Sequence, residues 1–396
     1  MRKCRRRFMV LATVACWGLM AITTGADAAT TTGRSGTWTL ETTPAGDEVT
    51  LSGVSCWSNG CTAVGTSGLD VVYGWHGSVW ASQPAPAGVP TTVACSAANV
   101  CIAVGYVYTS KGGTRAQAWS WNGTAWRAQA TFNPKSSSNS LSAIRCSAGT
   151  SSCEAVGYYG NGGTSYPLAE YWNGRTWTGQ STSGAPPGEL TGVSCESRGA
   201  SLGPCEAVGQ NSYLLTPLAM GLSRTKWTTQ ATPKLPKTAI TNEPSAFTGV
   251  SCYSGGCMAV GWYEYSDVTP DTSGNSFIIE RWNGSKWTLA AYPWARDTSD
   301  TPNAVHCESA SNCTAVGWSL SQGDATSAHD TLVMAWNGTS LTTVPSPDPN
   351  VDYDGGQGDG LNAIACVSGG AVCTAVGQQE DPNSPSYPSD SLAIRN

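Results

Sequence analysis

Fourteen of the sixteen cysteines in this chain fall into seven close pairs: Cys56/Cys61, Cys95/Cys101, Cys146/Cys153, Cys195/Cys205, Cys252/Cys257, Cys307/Cys313 and Cys366/Cys373. Two chemistries suit such pairs, disulfide formation and zinc binding. Zinc asks for tetrahedral sets, typically Cys-x-x-Cys and often with histidine. The chain has three histidines, His76, His306 and His329, and none recurs at a repeated position. The pairs therefore read as seven disulfides, the pattern of an exported chain. Closing so short a loop stabilises by roughly 2 kcal/mol in the chain-entropy model.

Other side chains with chemical potential cluster in loops. Tyr106, Tyr158, Trp262 and Trp318 each directly follow an Ala-Val-Gly, and Tyr108, Tyr166 and Tyr263 lie close by. Flat rings amid Asn, Asp, Gln and Ser are what sugar rings or extended polymers bind. These seven residues are the candidate ligand-binding set; rings that merely seal the ends of the strands are the competing reading. Asp352, Asp354 and Asp359 stand in a Gly-rich acidic loop that resembles an oxygen-rich Ca²⁺ loop, without the EF-hand register or its final Glu. A solvated acidic turn competes with Ca²⁺ there. Glu264, Asp267 and Asp324 could serve a glycosidase, but nothing in the sequence pairs them. Arg145 and His306 precede the first cysteine of their pairs, where other pairs have Ser or Ala. No Ser-His-Asp set is implied, and no catalytic residue is assigned.

The elements that must carry these residues repeat. The second cysteine of each pair is followed by one residue and then Ala-Val-Gly, at 63–65, 103–105, 155–157, 207–209, 259–261, 315–317 and 375–377. A fixed phrase at such intervals is an internal repeat. Each copy holds four short strands. Strand A ends on the first cysteine and strand B is Cys-x-Ala-Val-Gly. The two are joined by a tight loop across which the cysteines face each other. Strand C runs into Trp-Asn-Gly, and strand D carries a second Trp such as Trp126, Trp177, Trp227 or Trp287. Asn-Gly predicts two-residue hairpins with positive φ at both positions. Small Ala and Gly are expected to let neighbouring repeats approach, with Val as apolar filling. Asn122, Asn283 and Asn337 head formal glycosylation sequons that coincide with these turns.

Seven such units predict an all-β fold, a seven-bladed β-propeller with four-stranded blades and one disulfide per blade. The last repeat stops at a strand C, and the segment 36–44 reads as a strand D without a repeat. The N-terminal strand would thus complete the last blade and close the ring. The blades run about 48–87, 88–134, 135–187, 188–233, 234–293, 294–347 and 348–396 plus 35–44. Tight A–B and C–D turns would share one face, and the long, variable B–C and D–A loops the other, where binding is expected.

This layout resembles the kelch propeller, and is similar to cysteine-rich repeat proteins exported by high-GC Gram-positive bacteria. It departs from kelch in having one Gly after strand B and in its disulfides. A kelch-like fold hosts many functions, so the resemblance implies architecture only.

Residues 1–28 read as a signal peptide: a basic start, an apolar run from Phe8 to Ile22 and Ala26-Asp27-Ala28 as a cleavage signature. The remainder, 29–396, is expected to be one secreted, monomeric domain with no later membrane span. Net charge is −6 and charged residues are only 12%, which argues against nucleic acid or an anionic membrane as partner. The expectation is a secreted, non-enzymatic binding propeller for an extracellular glycan or protein. The alternatives are a polysaccharide hydrolase or lyase using loop carboxylates, and a cell-surface protein-interaction scaffold. Reduction of the purified protein should raise its mass by fourteen hydrogens, one for each paired cysteine. Free thiols in quantity before reduction would undo the disulfide scheme.

Overall fold

The architecture is that of a computed structural model. It describes residues 36–396 except 45–47, 69, 199–200, 236–242, 267–272, 292–297, 322–328, 350–357, 368, 370–371 and 381–388. The expected signal peptide lies outside the described residues. All described residues fall within one unit, Gly33–Asn396. Among them no helix is long and apolar enough to cross a membrane.

The chain is all-β. A short strand, β1 (Thr39–Leu40), comes first. Repeat one then supplies β2 (Thr50–Trp57), β3 (Gly60–Thr66), β4 (Asp70–Trp75) and β5 (Trp80–Gln83). Repeat two supplies β6 (Val89–Ala97), β7 (Val100–Tyr108), β8 (Thr114–Trp121) and β9 (Trp126–Gln129). Repeat three supplies β10 (Ser138–Cys146), β11 (Cys153–Asn161), β12 (Thr164–Trp172) and β13 (Trp177–Gly179). Repeat four supplies β14 (Gly188–Arg198), β15 (Ser201–Asn211), β16 (Thr216–Ser223) and β17 (Lys226–Gln230). Repeat five supplies β18 (Ser245–Tyr253), β19 (Gly256–Ser266), β20 (Ser273–Trp282) and β21 (Trp287–Ala291). Repeat six supplies β22 (Thr298–Ser309), β23 (Asn312–Ser321), β24 (His329–Trp336) and β25 (Leu341–Thr343). Repeat seven has three strands, β26 (Gly360–Cys366), β27 (Cys373–Glu380) and β28 (Ser389–Arg395). Within each repeat the strands pair antiparallel in chain order. Repeats two and three are joined into one sheet by a single parallel contact, Ser138 with Thr114.

All seven expected disulfides form, with Cα separations from 3.9 Å at Cys252–Cys257 to 4.1 Å at Cys56–Cys61. Each joins directly opposed residues of strands A and B, as in Cys56 with Cys61. The expected tight loops close between Trp57 and Gly60, Ala97 and Val100, Tyr253 and Gly256, and Ser309 and Asn312, whereas in repeat three residues 147–152 lie between the paired cysteines. In repeats two, four and six the ladder shifts register just past the first cysteine, at Cys95/Ala97, Cys195/Ser197 and Cys307/Ser309. These hairpins therefore carry a bulge between the disulfide and the turn. In these three repeats the sulfur of the second cysteine rests against a carbonyl of the hairpin. Cys101 Sγ lies 3.7 Å from the Ala97 oxygen, Cys205 Sγ 3.4 Å from Gly203 and Cys313 Sγ 3.6 Å from Ser309. A disulfide sulfur has no proton to donate, so these are packing contacts and not hydrogen bonds.

Nearer the middle of the same ladder every repeat has a β-bulge in strand A, for instance between Leu51 and Gly53 or between Phe247 and Gly249. The extra residue is polar every time: Ser52, Thr91, Ser142, Thr191, Thr248, Asn303 and Asn362.

The Ala-Val-Gly glycine sits beside this bulge, and its role differs from the expectation. A Cβ on Gly65, Gly105, Gly157, Gly209, Gly261, Gly317 or Gly377 would overlap a strand A carbonyl of the same repeat, such as that of Thr50 or Ala246. The glycine is required by its own sheet, not by the next repeat. The alanine does serve the junction: Ala63 packs in a cluster with Val376 and Ala393 of repeat seven.

The C–D turns also differ. Their glycines have positive φ, for example 95° at Gly123 and 88° at Gly284, but their asparagines do not. Residues 122–125 form a longer loop between the paired Trp121 and Trp126. Asn122 Oδ1 accepts the N–H groups of Thr124 and Ala125, at 3.0 and 2.9 Å. Asn173, Asn283 and Asn337 do the same. Side-chain acceptance replaces the second left-handed residue that a two-residue turn would need.

The apolar core lies between repeats. One cluster joins Val316 and Val333 of repeat six to Leu361, Leu392 and Ile394 of repeat seven. Hydrogen bonds follow the same junctions. Thr91 donates to the Leu141 carbonyl, Thr191 to Phe247, Thr248 to Pro302, Asn303 to Leu361 and Asn362 to Leu51. The last of these links repeat seven to repeat one. Outer strands add a second series. The indoles of Trp177, Trp227 and Trp287 donate to Gln129, Gln180 and Gln230 of the preceding repeat, at 2.8, 2.6 and 2.6 Å.

Repeat seven finds its fourth strand in β1. Thr39 pairs with Arg395 and Leu40 with Ile394, antiparallel. Trp38 is 5% exposed in the repeat-seven cluster. The Arg395 guanidinium lies 3.7 Å from the centroid of Trp75 in repeat one, whose indole donates to Glu41 Oε2 at 2.9 Å. Trp38→Ala should therefore cost about 3–5 kcal/mol, the range for emptying a buried Trp site. Denaturant unfolding measures it; a loss under about 0.5 kcal/mol, as for a surface site, would show that β1 is not integral.

Candidate functional site

The strands place two regions where a ligand could sit: the B–C loop end, and a cavity at the A–B hairpin end.

At the loop end, Tyr106 and Tyr108 project from the end of β7. Their rings meet edge-on with centroids 5.5 Å apart. Tyr108 is 74% exposed, while Tyr106 is half-buried. The Tyr106 hydroxyl is pushed up to about 12, first by burial, then by its hydrogen bond to Tyr108 and by the charges of Tyr108, Tyr158 and Asp70. That set of neighbours spans repeats one to three. Tyr158 is also raised, by burial and then by Glu189 of repeat four. Tyrosines and carboxylates thus step across four consecutive repeats. On the other face of β11, Tyr159 and the directly opposed Tyr166 stack, with centroids 5.6 Å apart and planes at 25°. Tyr213, 81% exposed, and Leu214 continue the loop end in repeat four.

The position after Ala-Val-Gly lies at a junction between repeats. In repeat four it is Gln210, whose amide donates to Ser245 O of repeat five; in repeat seven it is Gln378, which accepts from Thr50 of repeat one. Trp262 and Trp318 share that register and are half-buried. Trp318 stacks on His329, with centroids 4.1 Å apart and planes at 18°. Tyr263 alternates to the opposite side of β19 from Trp262 and is 2% exposed, so it offers no ring to a ligand.

Acidic groups at this end are close-coupled. Asp352 and Asp354 lie outside the described residues. Asp359 is buried, and its N–H donates to the His329 carbonyl at 2.7 Å. The Asp348 carboxyl is pushed up to about 9 by burial, then by hydrogen bonds to Asp359 and Asp330 and by their charges. Burial and two carboxyl neighbours favour the neutral form of Asp348. Among the described residues no group of three or more His, Cys, Asp or Glu could hold a metal ion. Asp267 and Asp324 also lie outside the described residues. Glu264 is raised by burial and by a hydrogen-bonded neighbour, Glu243. Carboxyls in hydrogen-bond contact leave no room for a glycosidic bond, since retaining pairs stand ~5–5.5 Å apart and inverting pairs wider.

The strongest carboxyl shifts inside the sheets are structural. Glu154, Glu170, Glu206 and Glu280 are buried and each is pushed up to about 8, chiefly by burial. Gln180 Nε2 donates to Glu154 Oε1, and Gln230 bonds Glu206, so the amides that receive the indoles also bond these acids. Glu170 accepts the Phe132 N–H at 2.8 Å. Glu280 stands in the same register, opposite Ala259 as Glu170 stands opposite Ala155. The matching linker residue there is Pro233, which has no N–H, and neither Glu280 oxygen has a hydrogen-bond partner among the described residues.

The cavity is the part that sequence reasoning did not find. It measures about 1180 Å³ and is lined by strand A of all seven repeats, from the bulge to the disulfide turn. Arg145, Arg198, Glu196, His306 and Glu308 reach it. The available signal was the polar bulge residue common to every strand A.

The two cysteines of a pair differ in their relation to this cavity. First cysteines such as Cys56, Cys95, Cys146, Cys252, Cys307 and Cys366 form part of its wall. The second cysteines belong to strand B and do not line it. Cys101, Cys205 and Cys313 are 1%, 1% and 2% exposed, and Cys61, Cys153, Cys257 and Cys373 are buried as well. They pack in the apolar clusters between repeats: Cys101 beside Val64, Cys205 beside Val156 and Cys313 beside Met258. They are the disulfide partners expected from the sequence, and their burial makes them core residues as well. Their sulfur is bonded and covered, and it offers nothing to a ligand.

No family model and no curated protein matches this chain.

The buried glutamic acids set a pH dependence. Each is protonated in the fold at a pH where the unfolded chain ionises it. Their contribution is complete below about pH 4.5 and is lost as pH rises through about 8. The melting temperature should fall between these values, and Glu280→Gln should raise it at pH 8 and flatten the profile. An unchanged profile in the variant would contradict the assignment.

Proposed function

We propose that this chain is a secreted seven-bladed β-propeller that binds an extracellular glycan, without catalysis, through its B–C loop end. Ring closure is supported by β1 completing repeat seven, by the Asn362 bond to Leu51, and by the cavity common to all seven first strands. Secretion is supported by the disulfides, which persist in oxidising compartments. The observation that carries the binding reading is the tyrosine series: an exposed Tyr108 braced by Tyr106, with Tyr158 and carboxylates stepping across neighbouring repeats. Braced rings offer apolar faces at low entropic cost, and flanking polar groups orient sugar hydroxyls.

The test is retention on a panel of insoluble polysaccharides and cell-wall material, with and without Ca²⁺, while released sugar is assayed. Retention without release is expected. Tyr108→Ala should weaken it roughly tenfold, about 1.4 kcal/mol, the scale of one ring's stacking. Trp262→Ala and Trp318→Ala, at junction positions, should weaken it less. Release of sugar would favour the hydrolase reading, and no retention would turn the search to protein partners.

A further inference from the structure

The cavity wall carries a cation, Arg145, that no carboxylate pairs among the described residues. The residue before the first cysteine of each pair is Ser55, Ala94, Arg145, Ser194, Ser251, His306 or Ala365. The three serines have a defined task. Their hydroxyls accept the backbone N–H of the next repeat's cysteine: Ser55 from Cys95, Ser194 from Cys252 and Ser251 from Cys307, at 2.9, 2.9 and 2.8 Å. A guanidinium has donors only, so Arg145 cannot take over this task. Its side chain lines the cavity instead. Its Nε is buried without a hydrogen-bond partner, and no carboxylate pairs with it among the described residues. Burial lowers its pKa, with no opposing contribution. The residue as a whole is half-buried, so part of its surface is left to the cavity.

The surroundings fit a negatively charged guest. The other arginine of the lining, Arg198, is already matched by Glu196 at 3.4 Å. Glu308 accepts from Asn312 Nδ2 at 3.2 Å. His306 holds the register of Arg145 in repeat six. Between the charged groups the wall offers hydroxyls and amides, among them Ser142, Ser147, Asn303 and Asn362. A planar guanidinium accepts carboxylate, sulfate or phosphate through two parallel N–H donors, and burial strengthens such a pair. A volume of about 1180 Å³ exceeds what a bare ion fills and suits a small organic molecule.

We propose that the cavity is a binding site for a small molecule bearing an oxyanion, with Arg145 as the anchoring cation. The site lies at the disulfide-turn end of the strands, apart from the tyrosines, and does not depend on them.

The experiment is calorimetric titration of the purified full chain with sodium sulfate, sodium phosphate and sodium glucuronate, with glucose as the neutral control. Saturable binding of at least one anion, and none of glucose, is expected. Tighter binding of glucuronate points to an acidic sugar as the guest, and tighter binding of the inorganic ions to a sulfate or phosphate ester. Arg145→Ser restores the residue found in repeats one, four and five, and should weaken binding at least tenfold while melting no lower than the parent. Should that variant not fold, Arg145→Lys keeps the charge and loses the fork, and a tenfold weakening is again expected. Tyr108→Ala should leave anion binding unchanged. Absence of saturable binding, or equal binding by the folded Arg145 variant, would overturn the proposal.

Discussion

The glycine ending each Ala-Val-Gly lies against a strand A carbonyl of its own repeat, closer than a Cβ would permit. Beside it, strand A accommodates one residue too many, and the bulge turns that residue's polar side chain out of the ladder. Five of these side chains then donate to the carbonyl just before the bulge of the next repeat. One steric requirement inside the sheet thus generates the lateral bond between sheets. A larger residue at the glycine would push the strands apart, lose the bulge geometry and weaken the junction as well as the repeat.

The junctions also explain how so sparsely charged a chain buries carboxyl groups. Glu154 and Glu206 sit where a glutamine already receives an indole from the next repeat, so the amide's spare N–H group is available to the acid. The acid, the amide and the indole form one short relay across each junction. Glu170 borrows a backbone N–H from the preceding linker. Where proline occupies that linker position, Glu280 keeps its register and loses the donor. Neutral, protonated side chains are the form that such surroundings favour.

What was legible in the sequence was local and repeated. Cysteine pairing, four strands per repeat and the separated fourth strand all follow from spacing within a few tens of residues. What was not legible depends on side-chain competition or on several repeats at once. Asn-Gly suggests a two-residue turn, yet the asparagine's own Oδ1 stabilises a longer one. The pairs ending in Cys101, Cys205 and Cys313 have sequence separations of 6, 10 and 6 where the others have 5 or 7, but that this difference means a bulge beyond the disulfide shows only once the ladder has formed. Tyr263 looks like its neighbour Trp262, but strand alternation sends the two to opposite faces and buries one. Asp359 was visible as part of an acidic loop, but the meeting of Asp348 with it and with Asp330 of β24 was not. The cavity belongs to no single repeat: each contributes a few polar residues that look like ordinary strand surface until seven of them face one another.

The pairing of β1 with β28 joins residues that are far apart in the chain, Thr39 to Arg395. In vectorial synthesis or export, the first strand emerges long before its partner exists. Until the last strand appears, repeat seven has an open edge, and its outermost ladder stays unsatisfied. Such a contact carries a large loop-closure entropy, so it forms late, after the intervening repeats have packed. An incomplete chain would expose a ready-made template for another copy's first strand. The same geometry brings the beginning and end of the fold side by side, so joining them and opening the chain in a loop between two other repeats would give every repeat four strands from neighbouring sequence.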